Sequence, residues 1–369
     1  MENRESANGA PDAWVTGYID ASPFATAPYP SVRVGLIYDT FQDFVWQEGD
    51  PPDADAEFEP AATVAALAAA VARLGATPVP IGPAQALQQR LCDGLALDAA
   101  INIAEGARSR NREAYAPILL EMAGIPCLGS DALTLSLSLD KAWTKDLATA
   151  AGIPTPPYRV VADASAIDPA NLPDFPLFVK PRYEGTSKGI TASSKVTSVR
   201  DLREQVARVT ATYQQDALVE RFVAGGGEFT VALTGTDPPE ALPALQRAVE
   251  ATTGIGLHAL THRGAPEGTW DYTLSGDLSP DLEATLQDQA RRIFQKLSCA
   301  DFARVDFRVD AKNQPWFLEI NPLPTFAPDG TFAIVAELMN ETYEAFLARV
   351  FARGFRRLGV AVPAPPSAA

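Results

Sequence analysis

"WFLEINPLPTF", Trp316 to Phe326, is an apolar run that carries a glutamate and an asparagine two residues apart and then stops at two prolines. Burying a carboxylate without a partner is strongly unfavourable, so Glu319 needs a partner in the protein or in a ligand. The preceding run "ARVDFRV", Ala303 to Val309, has a strand pattern that puts Arg304 and Asp306 on one face. These two segments therefore decide which charged groups meet on one face of a sheet.

The second strand adds two polar groups to that face, because Glu319 and Asn321 are also two residues apart. If the strands form a hairpin through "DAKNQP", the oxygens of these residues and of Asp306 converge beside an arginine. Such oxygens suit Mg²⁺ that is also held by nucleotide phosphates. Acids paired with arginine on neighbouring strands are also common as plain salt bridges, so both interpretations stay open here.

Strand-like and helix-like segments alternate along the chain, which is typical of α/β architecture. "VRVGLIY", Val32 to Tyr38, has the pattern of a buried strand, and Ala61 to Leu74 has a helical pattern that ends before Gly75. Among the later segments, we expect helices at Glu113 to Met122, from near Asp140 to Gly152, and as a tail at Phe332 to Leu358. The glycine run "AGGGE", Ala224 to Glu228, is expected to be a turn and, with Gly254 to Gly268, a candidate for a mobile lid.

Composition and charge narrow the class of protein. The chain has 369 residues, of which 47% are hydrophobic and 21% charged, and its net charge is −16. This composition suits folded domains, and the acidic balance argues against nucleic acid and anionic membranes as partners, since both are held by clustered lysine and arginine. No apolar stretch reaches the roughly 20 residues of a membrane helix, and no signal peptide is expected. Three scattered cysteines suit a reducing cytoplasm, which is the expected location.

The strand "PLFVKP" and the loop "EGTSKG" offer groups that suit phosphate binding. Lys180 closes the apolar strand, where an ammonium needs an anion to meet it. The loop offers close backbone approach, N–H donors and hydroxyls at Gly185, Thr186, Ser187 and Gly189. Such a loop is more often a plain hairpin, so it is a weak signal by itself. Together with Lys141, Glu228 and the acidic strand pair, it indicates a site for a nucleoside triphosphate and its metal.

Five motifs, in this order, resemble those of the ATP-grasp superfamily and its D-alanine:D-alanine ligase branch: "LDKAWTK", "FVKPRYEGTSKG", "LVERFVAGGGEFTV", "ARVDFRV" and "LEINPLP". The match extends over roughly residues 95 to 340. The resemblance implies a three-domain α/β fold of mixed α+β character, with the nucleotide bound between the second and third domains. The expected segments are an N-terminal extension 1–30, an N-terminal domain 31–132, a central subdomain 133–221, a catalytic domain 222–360 and a tail 361–369.

The resemblance also implies roles for individual residues. The ATP-binding residues that it implies are Lys141, Lys180, Glu184, Gly185, Thr186, Ser187, Gly189, Glu220, Arg221, Phe222, Val223 and Glu228. The metal ligands that it implies are Asp306, Glu319 and Asn321, which would hold two Mg²⁺ ions or Mn²⁺ in their place. Arg304 matches the arginine that stabilises an oxyanion, and Thr186 and Ser187 join it as catalytic residues.

The implied reaction joins a carboxylate to an amine. A carboxylate is a poor electrophile, so it attacks the γ-phosphate of ATP and becomes an acyl phosphate. The amine then attacks the acyl carbon while Arg304 stabilises the oxyanion. We therefore expect an ATP-dependent ligase for two amino acids or similar small molecules, in specialised biosynthesis rather than in cell-wall synthesis.

The substrate segments depart from the D-alanine ligase pattern. "NIAEGARSRNREAY" has no histidine where the family has one, and in "YDTFQDFVWQEGDPPDADAEFE" no single acid aligns with the family's glutamate. Thr325 replaces a glycine, and Gly330 falls near the serine that grips the second substrate. The residues expected near the substrates are Glu105, Arg108, Arg110, His262, Arg263, Pro324, Thr325 and Gly330. Substrates other than D-alanine are therefore expected.

Two of these groups keep an alternative interpretation. His258 and His262 have a helical metal-ligand spacing, but without a third ligand nearby a structural role is the stronger interpretation. His262 or Arg263 could instead cover the γ-phosphate. Glu105 and the arginines that follow it could form a solvated charged turn.

Two functions stay open at this level. The first is the ligase, with a small-molecule carboxylate and amine as its partners. The second is a regulatory nucleotide-binding protein that kept the ATP site and lost the reaction. Arg304 favours the enzyme, since an oxyanion-stabilising cation serves acyl transfer and not ATP binding. The oligomeric state, a homodimer included, stays open.

Overall fold

The computed structural model of the chain describes residues 31–256 and 271–362, and four β-sheets lie within those ranges. The first sheet contains β1 (Arg33–Ile37), β2 (Thr77–Gly82), β3 (Ala99–Asn102) and β4 (Cys127–Leu128). These strands are parallel and lie in the order β2-β1-β3-β4. The helices of this part are α1 (Ala61–Arg73), α2 (Ala84–Cys92) and α3 (Tyr115–Met122). Parallel strands joined by helices give the βαβ arrangement that the sequence predicts.

The second sheet is antiparallel and contains β5 (Tyr158–Val161), β6 (Leu177–Pro181), β7 (Lys195–Val196) and β8 (Ala217–Arg221). Its order is β5-β8-β6-β7. The helix α6 (Val199–Tyr213) packs Leu202, Val206 and Val209 against this sheet. Before it come α4 (Ala132–Leu139) and α5 (Lys141–Ala150). Asp140 begins α5, since its carboxylate accepts hydrogen bonds from the N–H groups of Ala142 and Trp143.

The third sheet contains β9 (Gly225–Thr234), β10 (Glu240–Ala241), β11 (Leu245–Arg247), β14 (Phe302–Asp310) and β15 (Pro315–Asn321). Its main order is β10-β9-β14-β15, and β11 pairs with β9. A separate pair is formed by β12 (Val249–Glu250) and β13 (Tyr272–Thr273). The remaining helices are α7 (Pro280–Lys296), α8 (Thr331–Leu338) and α9 (Tyr343–Arg357). The hairpin of β14 and β15 is confirmed, and it pairs Asp306 with Glu319 and Arg304 with Asn321.

The C-terminal helices pack on the first sheet. Leu67 and Val71 of α1 share one apolar cluster with Phe346 and Phe351 of α9 and with Phe302 of β14. The described residues from Val32 onward accordingly form one compact unit, and no helix among them is long and apolar enough to cross a membrane. The domain boundaries expected from the sequence stay a prediction.

Two expected elements were wrong. The run "AGGGE" is not a turn, because β9 begins at Gly225 and pairs Gly227 with Val309. A Cβ atom on Gly226 would lie 2.5 Å from the carbonyl oxygen of Asp310, so glycine permits this close pairing. The helical tail is two helices rather than one, since the backbone turns left-handed at Asn340 and the Thr342 side chain caps α9.

Candidate active site

One face of the third sheet carries the charged groups expected from the sequence. Arg304 Nε donates to Asp306 Oδ2 at 3.1 Å, and Asn321 Nδ2 lies 3.4 Å from the same oxygen. Thr230 of β9, the register partner of Asp306, donates to its other carboxylate oxygen. Three neighbouring strands therefore hold one carboxylate in place.

Glu319 has its partner in α5. Lys141 Nζ lies 3.2 Å from Glu319 Oε2 and also donates to the backbone carbonyl oxygen of Glu184. Burial by itself would raise the pKa of Glu319, but the positive charges of Lys141, Lys180 and Arg304 outweigh burial and lower the pKa to about 2. Glu319 is therefore a carboxylate at neutral pH, available to a cation.

The donor set on this face fits a hard cation. It offers two carboxylates and one amide oxygen from Asp306, Glu319 and Asn321, and oxygen ligands of this kind are those that Mg²⁺ prefers. Within residues 31–256 and 271–362, no group of three or more His, Cys, Asp or Glu side chains is arranged to hold a metal by itself. A metal here would need further ligands, and nucleotide phosphates are the usual source.

A cleft of about 780 Å³ lies between the second and third sheets. Its deep end holds Glu220, whose two carboxylate oxygens each lie 2.8 Å from a lysine ammonium, one of Lys180 and one of Lys145. Burial would raise the pKa of Glu220, yet the two lysines lower it to about 2. Burial also lowers the pKa of Lys145 to about 8, against the pull of Glu220. The cleft thus contains a compact buried ion cluster with one net positive charge.

The other end of the cleft is apolar and aromatic. Phe222 lies 5.9 Å from Phe178, measured between ring centroids, and has Lys195 at 4.4 Å and Arg308 at 4.6 Å from its ring. Arg308 also lies 3.6 Å from Glu228. The apolar rings on β6 and just after β8, with a carboxylate nearby, suit a purine and its ribose.

The loop "EGTSKG", which the sequence predicts to bind phosphate, uses two of its N–H groups within the protein. Gly185 N–H donates to Glu57 Oε1 at 2.6 Å, and Gly189 N–H donates to Asp53 Oδ2 at 2.8 Å. Ser187 and the side chain of Lys188 line the cleft. The two glycine N–H groups therefore bind acids of the segment between β1 and α1, and Glu184, Ser187 and Lys188 are the loop residues that line the cleft.

A second cavity, of about 1150 Å³, adjoins the first. Lys141 and Glu319 line both cavities, and Arg304, Asn321 and Thr325 line the second. The remaining expected residues on its wall are Glu105, Gly185, Thr186 and Pro324. A molecule in the second cavity can therefore reach the end of a nucleotide in the first.

Some expected substrate residues lie elsewhere. Arg108 binds Asp50 at 2.6 Å, and Arg110 lies over the rings of Trp143 and Tyr183 at 4.9 Å and 5.1 Å. Gly330 precedes α8 and is not on the cavity wall. His258, His262 and Arg263, with most of the lid segment Gly254 to Gly268, lie outside the described residues.

Several residues of these cavities were not anticipated. They are Glu57, Glu59 and Glu113 in the second cavity, and Lys145, Lys188 and Arg308 in or beside the first. The alternation of β14 could have placed Arg308 on the face of Asp306. Lys145 lies four residues after Lys141 on a helix, which also predicts a shared face. The three glutamates follow no local pattern.

The chain is similar in sequence to known proteins. Residues 147–351 match the family model described as D-ala D-ala ligase C-terminus. An uncharacterized protein of Sinorhizobium fredii, y4sG, is 31% identical over 69% of this chain and 74% of its own length. A D-alanine–D-alanine ligase of Bordetella petrii is 35% identical over 61% of this chain and 66% of its own length.

Two solved structures resemble most of the chain. The D-alanine–D-alanine ligase of Bacillus anthracis has a TM-score of 0.69 at 19% identity, covering 89% of this chain and 98% of its own. The VanG D-Ala:D-Ser ligase of Enterococcus faecalis has a TM-score of 0.64 at 18% identity, covering 88% and 99%. These likenesses show the mixed α/β ATP-grasp fold that the sequence predicts.

Proposed function

Since the chain belongs to the D-alanine–D-alanine ligase family of ATP-dependent ligases, we propose that it forms an amide or peptide bond between a small carboxylate and a small amine, with release of ADP and phosphate. The observation that carries the proposal is the meeting of the two cavities at Lys141 and Glu319, beside Arg304. A nucleotide in the first cavity and a carboxylate in the second would have their reacting ends at this junction.

We assign ATP to the cleft between the second and third sheets. Its adenine would lie by Phe178 and Phe222, with the backbone of residues 220–223 as hydrogen-bond partners and Glu228 near the ribose. Lys141 and Lys180 would meet the phosphates, which carry the anionic charge that this positively charged end of the cleft can balance. Asp306, Glu319 and Asn321 would hold Mg²⁺, which when bound neutralises charge on the phosphates.

The residues at the junction suit both steps of the reaction. In the first step the substrate carboxylate attacks the γ-phosphate and ADP leaves, which gives an acyl phosphate. In the second step the neutral amine attacks the acyl carbon, and phosphate leaves. Arg304, held by Asp306, can donate to the oxyanion of the tetrahedral intermediate. Residues 53–57, bound to the loop at Gly185 and Gly189, cover this region and help to exclude water.

The substrates are proposed to differ from the pair of D-alanines that is named for several relatives. Thr325 stands where the family has glycine, and its hydroxyl oxygen accepts a hydrogen bond from Ala327 N–H at 3.0 Å. Gly330 offers no side-chain donor and lies off the cavity wall. Losing a hydrogen bond to a charged group costs about 1.5 to 3 kcal/mol. The regulatory alternative is not favoured, because the relatives with named activities are ligases and Arg304 is present.

A phosphate-release screen over pairs of amino acids and amines, with mass spectrometry of the products, tests the function. At least one pair should give ATP-dependent phosphate release together with a product of the mass of an amide. D-alanine alone should be used with a catalytic efficiency about tenfold to a hundredfold below that of the best pair. A D-alanine efficiency equal to the best pair would contradict the substrate proposal, and tight ATP binding without any product would favour the regulatory alternative.

A further inference from the structure

The substrate cavity, as we call the second cavity, has more acids than bases on its wall. Its acids are Glu57, Glu59, Glu105, Glu113, Glu319 and Asp329, and its bases are Lys141 and Arg304. A cavity that binds two amino acids is expected to have similar numbers of acidic and basic side chains, because each free amino acid carries one charge of each sign. The acidic excess therefore calls for a cation that the protein does not supply.

Two of the cavity's acids are neutralised within the protein. Glu57 lies 2.8 Å from Arg112 and 3.0 Å from Lys188, and Glu319 binds Lys141. Glu59 accepts a hydrogen bond from the hydroxyl of Thr63 at 2.7 Å and meets no base in the described part of the chain.

Glu113 and Glu105 have no such partners. The side chain of Glu113 is only 7% exposed, lines the cavity, and makes no hydrogen bond or ion pair with any residue in the described ranges. The neighbouring Arg112 gives its guanidinium to Glu57 and Glu184 instead. Glu105 faces the same cavity, also without a hydrogen bond or ion pair to the described residues. A buried carboxyl group without a partner is unfavourable, so a ligand group is expected to meet this pair.

The pKa values of the two glutamates agree with this geometry. Burial raises the pKa of Glu113 to about 7, and the charge of Arg112 only partly opposes it. Burial also raises the pKa of Glu105 well above its usual range, and Glu113 and Glu57 add to the effect. Burial is the largest cause of both shifts, and a cation placed between the two carboxylates would oppose both.

We propose, on the premise of the ligase function, that the substrate cavity takes a substrate with an additional alkylammonium group, as in a basic amino acid, which Glu105 and Glu113 hold. The attacking amine must be neutral when it reacts, so two amino acids present at most one α-ammonium group to the cavity. Four of the cavity's acids, Glu59, Glu105, Glu113 and Asp329, lack a base in the described ranges, which leaves room for a second cation. An ammonium has three N–H donors and can bind two carboxylates at once.

The test compares charged ligands with uncharged ligands of the same shape. Lysine and ornithine, in both configurations, are titrated by calorimetry into the full chain with Mg²⁺ and a non-hydrolysable ATP analogue present. Norleucine and norvaline serve as the matched neutral ligands. We expect at least one basic amino acid to bind about tenfold or more tightly than its neutral counterpart, as a charge-assisted pair of hydrogen bonds implies.

Three variants locate the effect. Glu105→Gln and Glu113→Gln keep the side-chain shape and should reduce the preference for the basic ligand over norleucine to near unity. Glu344→Gln removes the same charge from an exposed position and should keep the preference. Circular dichroism checks that each variant is folded, and because either glutamate tests the inference, one misfolded variant does not remove the test.

Each outcome has a defined meaning. If no basic amino acid in the panel binds more tightly than its neutral counterpart, or if both glutamine variants keep the preference, the inference is overturned. Failure of the chain to bind the ATP analogue would instead overturn the proposed function. Binding of the analogue without a charge preference leaves the proposed function intact and rejects only the inference.

Discussion

The nucleotide cleft and the substrate cavity share a wall, but they balance their charges in opposite ways. In the cleft, each buried acid has a base within the protein, as Glu220 has two lysines and Glu319 has Lys141. Both carboxyl groups have a pKa lowered to about 2. In the substrate cavity, Glu105 and Glu113 have no base and their pKa values are raised.

This difference separates a preorganised site from one that its ligand completes. Charges that are fixed by ion pairs before binding need little rearrangement when phosphate groups arrive. Carboxyl groups without partners instead reward a ligand that brings the missing charge, and they penalise a ligand that does not. We therefore expect the cleft to suit a ligand common to the family and the cavity to set the substrate specificity of this chain.

The largest expected effect is on turnover, and it concerns Glu319 in the wall that the cleft and the substrate cavity share. Glu319→Gln removes a carboxylate that is proposed to bind metal and leaves Lys141 without its acid, so turnover should fall by about a thousandfold or more. Phosphate release measured with the best substrate pair checks this value. Glu344→Gln is the matched control and should keep full activity. Near-normal turnover of Glu319→Gln in a folded protein would remove this residue from the site.

A smaller effect, on ATP affinity, is expected for Lys180 in the cleft. Lys180→Ala removes a point charge from the phosphates and leaves Glu220 paired with Lys145 alone, so ATP affinity should fall by about tenfold or more. Calorimetry with ATP and Mg²⁺ measures the dissociation constant. The exposed Lys296→Ala should bind ATP as the unmodified chain does. An unchanged dissociation constant for Lys180→Ala would mean that Lys180 serves only to balance Glu220.

The smallest expected effect is on the free energy of unfolding, and it concerns Glu113 in the substrate cavity. The pKa of Glu113 is raised from 4.5 to about 7, so the folded state keeps a proton that the unfolded state loses. Stability from this group is complete below about pH 4.5 and is lost as the pH rises towards 7. Glu113→Gln removes that loss, so the variant should equal the unmodified chain at low pH and exceed it by about 1 to 2 kcal/mol above neutral pH.

Urea unfolding of both proteins across this pH range measures the difference. Glu344→Gln, which removes one carboxylate from an exposed position, is the matched control. A constant difference for Glu113→Gln would contradict the unpaired state of Glu113 and, with it, the contrast between the two cavities.

Local sequence patterns were sufficient to predict much of the nucleotide cleft. The alternation of side chains along β14 and β15 was enough to place Asp306 and Glu319 on one face, and the apolar run before Lys180 predicted a strand that ends in a cation. Order and spacing of the motifs predicted the fold class. The turn expected at "AGGGE" was wrong, because close pairing with β14 overrides the turn propensity of glycine.

The partners of the charged residues in and near the substrate cavity could not be predicted from local patterns. Arg108 and Arg110 follow Glu105 in the chain, yet Arg108 pairs with Asp50 and Arg110 lies on aromatic rings outside the cavity. A sequence of alternating charges does not say which side chain finds a partner in a distant segment. Glu113 is left unpaired while the neighbouring Arg112 binds Glu57 and Glu184, which come from distant segments.

The sequence by itself determined which residues share a strand face or a helix face, since these relations depend on backbone periodicity over a few residues. Only the tertiary structure decided which acids are paired and which are left for a ligand. Glu57 and Gly185 are 128 residues apart in the chain and meet at 2.6 Å, and the position of Glu57 sets the partners of Arg112 and Lys188. Such contacts depend on packing of the whole chain, because a charge inside a cavity is balanced by its neighbours in space and not by those in sequence.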